Sequence, residues 1–236
     1  TPMKAGVGIG DVMCGMYATV AILAALRHRD ACGIGQHIDL ALYDSTVSWL
    51  TNAATNHLVS GELPKRYGNA HPNIVPYQVF PTRDGHVVIA VGNDEQFRRL
   101  NEVMGCTFHE DPRFVTNSLR LEHRTVLVPL LEAVTLSRDT STWISTLRKA
   151  SVPCGPVNNL EEVFQDPQTQ HREMQIEMEH AHGHVRLLGN PIKFSKTPVS
   201  YRRAPPTRGQ HTDEILQELG ITSSDRDDWR NSGIVE

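Results

Sequence analysis

The longest helix-periodic apolar segment of this 236-residue sequence covers residues 10–29. Its apolar side chains recur every three or four positions, beginning with Val12 and Met16, and form two adjacent stripes. Asp11 lies where an N-cap or a first-turn anion belongs, and Gly33 follows the last turn as a stop signal. The pattern predicts a buried helix of about 18 residues, against which other elements must pack.

Charge and hydropathy argue against two classes of partner. There are 23 Lys and Arg residues against 27 Asp and Glu residues, a formal charge of −4, and there is no long basic run. Nucleic-acid binding is therefore not expected. The longest apolar stretch, residues 16–26, is roughly half the length that a membrane-spanning helix needs. The sequence thus predicts a protein that binds neither nucleic acid nor a membrane.

Cysteine spacing and the start of the sequence bear on its compartment. The four cysteines lie far apart, with no Cys-x-x-Cys pair, which indicates reduced thiols. The sequence begins with Thr1 and shows no signal-peptide pattern. We expect a cytoplasmic protein, or a protein of the mitochondrial matrix if its source is eukaryotic. We also expect the sequence to be a piece of a longer polypeptide or a processed product.

The first quarter of the chain has the pattern of a layered α/β unit. Residues 37–42 alternate between apolar and polar side chains, which predicts a strand. A second helical pattern covers residues 44–60 and closes at Gly61. Helix, strand and helix in this order are typical of an α/β layer. Because one strand cannot form a sheet, its partner strands are expected elsewhere.

Proline and glycine interrupt the periodic pattern at residues 62–76, which predicts a linker or functional loop and a domain boundary. Beyond it, two β-rich runs at residues 77–80 and 86–91 flank an Asp84-Gly85 turn. An Asp-Gly turn between such runs predicts a β-hairpin.

The rest of the chain mixes short helices with a second hairpin. A helix capped by Asn93 or Asp94 runs to about Met104, and residues 152–157 are too rich in Pro and Gly for regular structure. The other predicted elements are helices at 119–136 (kinked at Pro129), 142–150, 160–164 and 212–219, and a hairpin of 174–179 with 184–188 around Gly183.

Three kinds of catalytic or cofactor motif are incomplete or absent in this sequence. In the run His180-Ala181-His182-Gly183-His184, side chains two positions apart would share a strand face and could bind a metal. Gly183 falls where a turn is expected, so we predict a solvated turn and no metal site. Glycine-rich residues 6–10 lack the strand and spacing of a dinucleotide fingerprint, and no serine lies in a Gly-x-Ser-x-Gly turn.

Residues 66–78 hold the densest set of functional side chains: a positive charge, amides, an imidazole and aromatic rings. Near neutral pH, an amide and an imidazole can orient a carboxylate or polarise a thioester carbonyl. The alternative is an interdomain linker whose polar groups satisfy only their own backbone. Composition alone leaves both interpretations open.

An ordered series of short motifs resembles the class III CoA-transferases, also called the CaiB/BaiF or formyl-CoA transferase family. The resemblance spans nearly the whole chain and is closest to the branch of succinyl-CoA:glutarate CoA-transferase. The motifs are Gly10-Asp11, Gly33-Ile34-Gly35-Gln36-His37-Ile38-Asp39-Leu40, Gly68-Asn69-Ala70-His71-Pro72, Pro76-Tyr77-Gln78-Val79-Phe80, Asp84-Gly85, Gly92-Asn93-Asp94-Glu95-Gln96-Phe97, Asp111-Pro112-Arg113-Phe114, Val152-Pro153-Cys154-Gly155-Pro156-Val157-Asn158 and Gly209-Gln210-His211-Thr212.

The resemblance implies an α/β fold in which this chain is the C-terminal part. Residues 1–61 would belong to a Rossmann-like large domain and residues 62–76 would be a linker or active-site loop. Residues 77–189 would form the small α+β domain, and residues 190–236 would return to the large domain. Members of the family form interlocked homodimers, so a homodimer is expected.

The resemblance also implies transfer of CoA from an acyl-CoA thioester to a short carboxylic acid, most simply a dicarboxylic acid. The reaction would pass through an aspartyl covalent intermediate. The nucleophilic aspartate lies upstream of this sequence in the family, so Asp11 and Asp39 are interpreted as structural and no catalytic residue is assigned. The CoA thioester is a substrate, and no permanently bound cofactor is expected. The residues carried over as substrate-binding are Gly68, Asn69, His71 and Gln78.

Two alternatives to a CoA-transferase remain open from the sequence. The same fold occurs in α-methylacyl-CoA racemases, which use acid and base groups to move a proton beside the thioester. The chain could instead be a non-catalytic fragment that acts only in dimerisation.

Overall fold

The computed structural model describes Met3 and residues 5–235. The chain divides into two compact units, Thr1–Pro156 and Val157–Glu236. It mixes helices with two antiparallel sheets, one in each unit. The mixed α/β class predicted from the sequence is confirmed.

The first unit begins with the predicted long helix, α1 (Ile9–Cys32), which is followed by α2 (Leu42–Ser48) and α3 (Thr51–Ser60). Asp11 lies in the first turn of α1, where its charge is favourable for the helix dipole. Gly33 ends the helix in the left-handed conformation at φ 76°, which glycine adopts without strain. The helix and both of its end signals were predicted.

The prediction that α1 is an interior helix is wrong. None of its 24 residues is buried, and Val20 and Leu23 are each 61% exposed. The helix is also long and apolar enough to cross a membrane, judged by length and composition alone. The apolar stretch of residues 16–26 is shorter than the helix because small and polar residues continue α1 on both sides.

The predicted strand at residues 37–42 is also not formed. Residues 34–41 have no regular structure, and α2 begins at Leu42. Alternating side chains make a strand only where a neighbouring strand accepts and donates its backbone hydrogen bonds, and no strand in the described part of the chain lies beside this segment. The predicted second helix is divided into α2 and α3 near Thr51, which has φ 41°, and ends at Gly61 as expected.

A three-stranded antiparallel sheet follows, made of β1 (Tyr77–Pro81), β2 (His86–Ala90) and β3 (Cys154–Pro156) in that order. The predicted hairpin around Asp84-Gly85 is confirmed, with Val79 opposite Val88. The short strand β3 corrects the prediction that residues 152–157 are irregular. Proline is accepted in β3 because this strand lies at the edge of the sheet. At an edge, Pro156 does not have to donate a backbone hydrogen bond to a further strand.

Four helices and one 3₁₀ turn cover this sheet. They are α4 (Asp94–Met104), the 3₁₀ turn Phe108–Glu110, α5 (Asn117–Glu122), α6 (Arg124–Thr135) and α7 (Thr140–Lys149). Asn93 caps α4, since its Oδ1 accepts from Gln96 N–H at 2.9 Å. The helix predicted at 119–136 breaks at His123, and Pro129 lies inside α6 rather than at the break.

The core of the first unit lies between this sheet and its helices. Its fully buried members include Phe80, Val87, Ile89, Phe97, Phe114, Leu127, Leu131 and Trp143.

The second unit contains short helices around a two-stranded hairpin. Its elements are α8 (Leu160–Gln165), α9 (Pro167–His171), β4 (Gln175–His180), β5 (Gly183–Leu188), α10 (Thr212–Glu218) and α11 (Ser223–Asn231). The hairpin, α8 and α10 were predicted, whereas α9 and α11 were not.

Candidate functional site

The loop before β1 runs along the free edge of the sheet. Because the strand order is β1-β2-β3, only one side of β1 is paired within the sheet. On the other side, Val79 N–H donates to Asn69 Oδ1 at 2.9 Å, and His71 N–H donates to the Tyr77 carbonyl oxygen at 2.8 Å. These two contacts satisfy backbone groups that an edge strand would otherwise leave open. Asn69 and His71 are therefore fixed side by side along β1.

A turn brings the loop to this edge. Ala70 N–H donates to the Tyr67 carbonyl oxygen at 3.0 Å, and Gly68, inside the turn, has φ 61°. This left-handed backbone strains a residue that has a Cβ atom. Gly68 is thus required by the shape of the loop and does not itself offer a side chain to a ligand.

The His71 imidazole has a defined hydrogen-bonding role. Its ring stacks on Tyr77, with centroids 5.3 Å apart and planes 21° from parallel. Its Nδ1 atom accepts from Asn73 N–H at 3.1 Å. In the neutral ring, an acceptor at Nδ1 places the proton on Nε2. His71 therefore presents an N–H donor at Nε2.

The two polar atoms of the Asn69 side chain also have different roles. Its carbonyl oxygen is used by β1, and its Nδ2 atom makes no hydrogen bond within Met3 and residues 5–235. The loop edge thus offers two uncharged donors, one amide and one imidazole. Donors of this kind stabilise a carboxylate or the oxygen of a polarised carbonyl.

Gln78 lies on the other face of β1. It is opposite Ile89 and shares its face with the buried Phe80, two positions along the strand. Its side chain is half-buried. The structure brings Asn69 and His71 together and places Gln78 away from the ring of Tyr77, on which His71 stacks.

Three residues that the sequence interpretation missed hold this loop from behind. Asn117 and Arg120 lie three positions apart on α5, and Arg124 begins α6, all on the side of these helices that faces the loop. Each donates to backbone carbonyl groups of the loop between His71 and Val75. Their helical spacing was the available signal, but without the fold nothing indicated that this side faces the loop.

The other sequence candidates lie elsewhere and are used locally. His180 Nδ1 accepts from His182 N–H at 3.2 Å, and His184 lies 3.2 Å from Glu177. Within the described residues, no three His, Cys, Asp or Glu side chains are grouped as metal ligands. Burial raises the pKa of the Cys106 and Cys154 thiols, which disfavours the thiolate form.

One protein family and several known proteins match this chain over most of its length. The family model described as CoA-transferase family III matches residues 1–212. A succinate–glutarate CoA-transferase of Agrobacterium fabrum is 43% identical over 220 residues, covering 92% of this chain and 55% of that protein. The human succinyl-CoA:glutarate CoA-transferase is 37% identical, covering 92% of this chain and 50% of that protein.

A solved structure agrees with the sequence comparison. A CaiB/BaiF family protein from Brucella suis superposes with a TM-score of 0.75 at 42% sequence identity. The match covers 92% of this chain and 57% of that protein. The chain therefore spans about half the length of the relatives that it matches.

Proposed function

The chain belongs to CoA-transferase family III, and we propose that it forms part of an enzyme that transfers CoA from succinyl-CoA to a dicarboxylate such as glutarate. The names of the Agrobacterium fabrum and human CoA-transferases described above support this choice of substrates. Since those relatives are about twice as long, the activity is proposed for an enzyme that contains this chain.

In this proposal the edge of β1 binds the acyl group. Asn69 Nδ2 and His71 Nε2 donate hydrogen bonds either to the carboxylate of the acid or to the thioester carbonyl oxygen. When a nucleophile adds to that carbonyl, negative charge develops on the oxygen, and fixed donors stabilise it. The observation that carries the proposal is the Asn73 contact to His71 Nδ1, because it commits the neutral imidazole to donate from Nε2.

We further propose an aspartyl intermediate. An aspartate oxygen adds to the acyl carbonyl of the donor, and the CoA thiolate leaves, giving a mixed anhydride. The thiolate then attacks the aspartyl carbonyl and releases the donor acid, and the acceptor acid repeats these steps in reverse. Asp11 in the first turn of α1 and Asp39 in the irregular segment are both exposed. We assign the nucleophile to neither of them, because in the family it lies upstream of this sequence. The 236-residue chain assayed alone should therefore show no transfer.

The test is to replace His71 by alanine in an enzyme containing this chain and to measure transfer from succinyl-CoA to glutarate. Loss of a positioned donor is expected to lower kcat by about 10²-fold, with little change in thermal stability because the ring is half-buried. His86→Ala is the matched control, an exposed histidine at the start of β2. Unchanged turnover in the His71 variant would remove this residue from the site.

A further inference from the structure

The Arg124 guanidinium is bound to the backbone of the candidate site. Its Nη2 atom donates to the carbonyl oxygens of His71 at 2.6 Å and of Pro72 at 3.1 Å. Its guanidinium also lies over the Tyr67 ring, with Cζ 5.2 Å from the ring centroid. One side chain at the start of α6 therefore touches the loop both before and after Asn69.

Arg124 is half-buried and makes no ion pair with a carboxylate in the described residues. Its pKa is lowered, mainly by desolvation, with an opposing contribution from Tyr67. A guanidinium stays protonated under such a shift. The partners of this positive charge are thus loop carbonyl groups and an aromatic ring. Such contacts hold the loop in place and do not neutralise a carboxylate.

Asn117, the first residue of α5, completes the same support. Its Nδ2 atom donates to the Asn73 carbonyl oxygen at 2.9 Å, and its Oδ1 atom accepts from Val75 N–H at 3.1 Å. Asn73 is the residue whose N–H bonds to His71 Nδ1. Both the backbone of His71 and the donor that sets its tautomer are therefore held by side chains of α5 and α6.

We propose that Arg124, together with Asn117, is a positioning residue that fixes the orientation and the Nε2–H tautomer of His71. The effect of this positioning on catalysis rests on the proposed function, whereas the positioning of His71 itself can be tested independently. Arg124 itself does not touch the substrate in this scheme. It acts by donating to two carbonyl groups from one terminal nitrogen, Nη2, while its planar guanidinium lies over the Tyr67 ring. Lysine is shorter and has a compact ammonium group, so it does not reproduce both contacts together.

The test uses the intact 236-residue chain with ¹⁵N-labelled histidine. In the unaltered chain at a pH where His71 is neutral, NMR should show the distinct pair of ring-nitrogen resonances of the Nε2–H tautomer. Arg124→Lys and Arg124→Met should both lose this separation, because the loop no longer holds Asn73 N–H against Nδ1. Arg113→Met is the matched control, since Arg113 also lies over an aromatic ring but pairs with Asp111.

A second variant keeps the test decisive if Arg124→Met unfolds. Asn117→Asp has the same shape and can still accept from Val75 N–H, but it loses the donor to Asn73, so it should also mix the tautomers. If His71 keeps the Nε2–H tautomer in every folded variant, the inference is overturned.

Turnover in the complete enzyme separates this inference from the proposed function. Arg124→Lys should lower kcat while the KM for glutarate stays within about 3-fold of the unaltered value, whereas Arg113→Met should leave both unchanged. If His71→Ala has full activity while the Arg124 variants still lose the tautomer, the proposed catalytic role of His71 fails and the positioning by Arg124 stands.

Discussion

Arg120 shows how a single buried charge can organise a loop. The residue is fully buried, and its Nε atom donates to the Val75 carbonyl oxygen at 2.7 Å. Its two terminal nitrogens donate to the Phe114 carbonyl oxygen at 3.0 Å and to Asp94 Oδ1 at 2.7 Å. The guanidinium also lies over the Phe97 ring at 4.4 Å. Burial lowers its pKa, and the Asp94 hydrogen bond and charge oppose that shift.

Replacing Arg120 by methionine should destabilise the first unit strongly. Methionine fills much of the same volume but leaves the carbonyl oxygens of Val75 and Phe114 buried without a donor. Unsatisfied buried acceptors cost about 1–3 kcal/mol each, so we expect a loss of about 3 kcal/mol in the free energy of unfolding.

Urea unfolding followed by circular dichroism measures this loss. Arg99→Met is the control, because the Arg99 side chain is 39% exposed and pairs with Glu95 on α4; the urea midpoint of this variant should not move measurably. A loss below about 1 kcal/mol for Arg120→Met would show that water or a shifted loop satisfies the two carbonyls.

At the residue scale, the sequence indicated the side chains of the candidate site but not the contacts that hold them. Asn69 and His71 were predicted from the composition of their loop and from the family motif. Gln78 came from the same motif, but the alternation of β1 places it on the face of Phe80. Arg124 and Asn117 had only their helical spacing as a local signal, and their role depends on contacts 53 and 44 residues back along the chain.

At the scale of elements, the hairpin turn serves as the cap of a distant helix. Asp139 occupies the N-cap position of α7 but makes no capping bond, and its carboxylate pairs with Arg83. Instead, Asp84 Oδ1 accepts from Thr140 N–H and from Thr140 Oγ1, both at 2.8 Å. The β1–β2 turn and the start of α7 are thereby joined across more than 50 positions of sequence.

The Asp84 cap should make stability depend on acid pH. The Thr140 backbone hydrogen bond, followed by the Thr140 hydroxyl, holds the pKa of Asp84 below its usual value. Because the folded-state pKa is depressed, the stabilisation is fully present above the unfolded pKa of about 4. It is lost as the pH falls through the folded-state pKa.

Asp84→Asn should therefore lower the urea midpoint near neutral pH, and the difference from the unaltered chain should shrink as the pH is lowered below about 4. Glu122→Gln is the control, an exposed residue at the end of α5 that makes no hydrogen bond within the described residues. A difference that stays constant down to the lowest pH at which the chain remains folded would exclude the charged cap as its source.

Elements with local signals were predicted well, and elements that depend on distant partners were not. The β1–β2 hairpin has its Asp-Gly turn, and α4 has its Asn93 cap, so both follow from short windows of sequence. The segment at residues 37–42 alternates like a strand but has no strand beside it in the described chain. The short strand β3 shows the opposite case, since pairing with β2 overrides its Pro and Gly content.

At the scale of the whole molecule, the exposed apolar surface of α1 is the feature that departs most from an ordinary globular protein. α2 packs against α1, yet Val12, Val20 and Leu23 are each more than half exposed. Scattered apolar side chains are normal on protein surfaces, but a continuous apolar helix face favours association. The family match includes this helix.

The 236-residue chain alone should therefore bind a hydrophobic dye and self-associate in light scattering. Changing Val20 and Leu23 together to lysine should reduce both signals while leaving the melting temperature nearly unchanged, because both side chains are 61% exposed and lysine is a good helix former. Leu160→Lys, at an exposed apolar residue on α8, is the matched control and should change neither signal substantially. A monomer that binds no dye would mean that the α1 surface is covered within the chain itself, contrary to the arrangement described for α1 and α2.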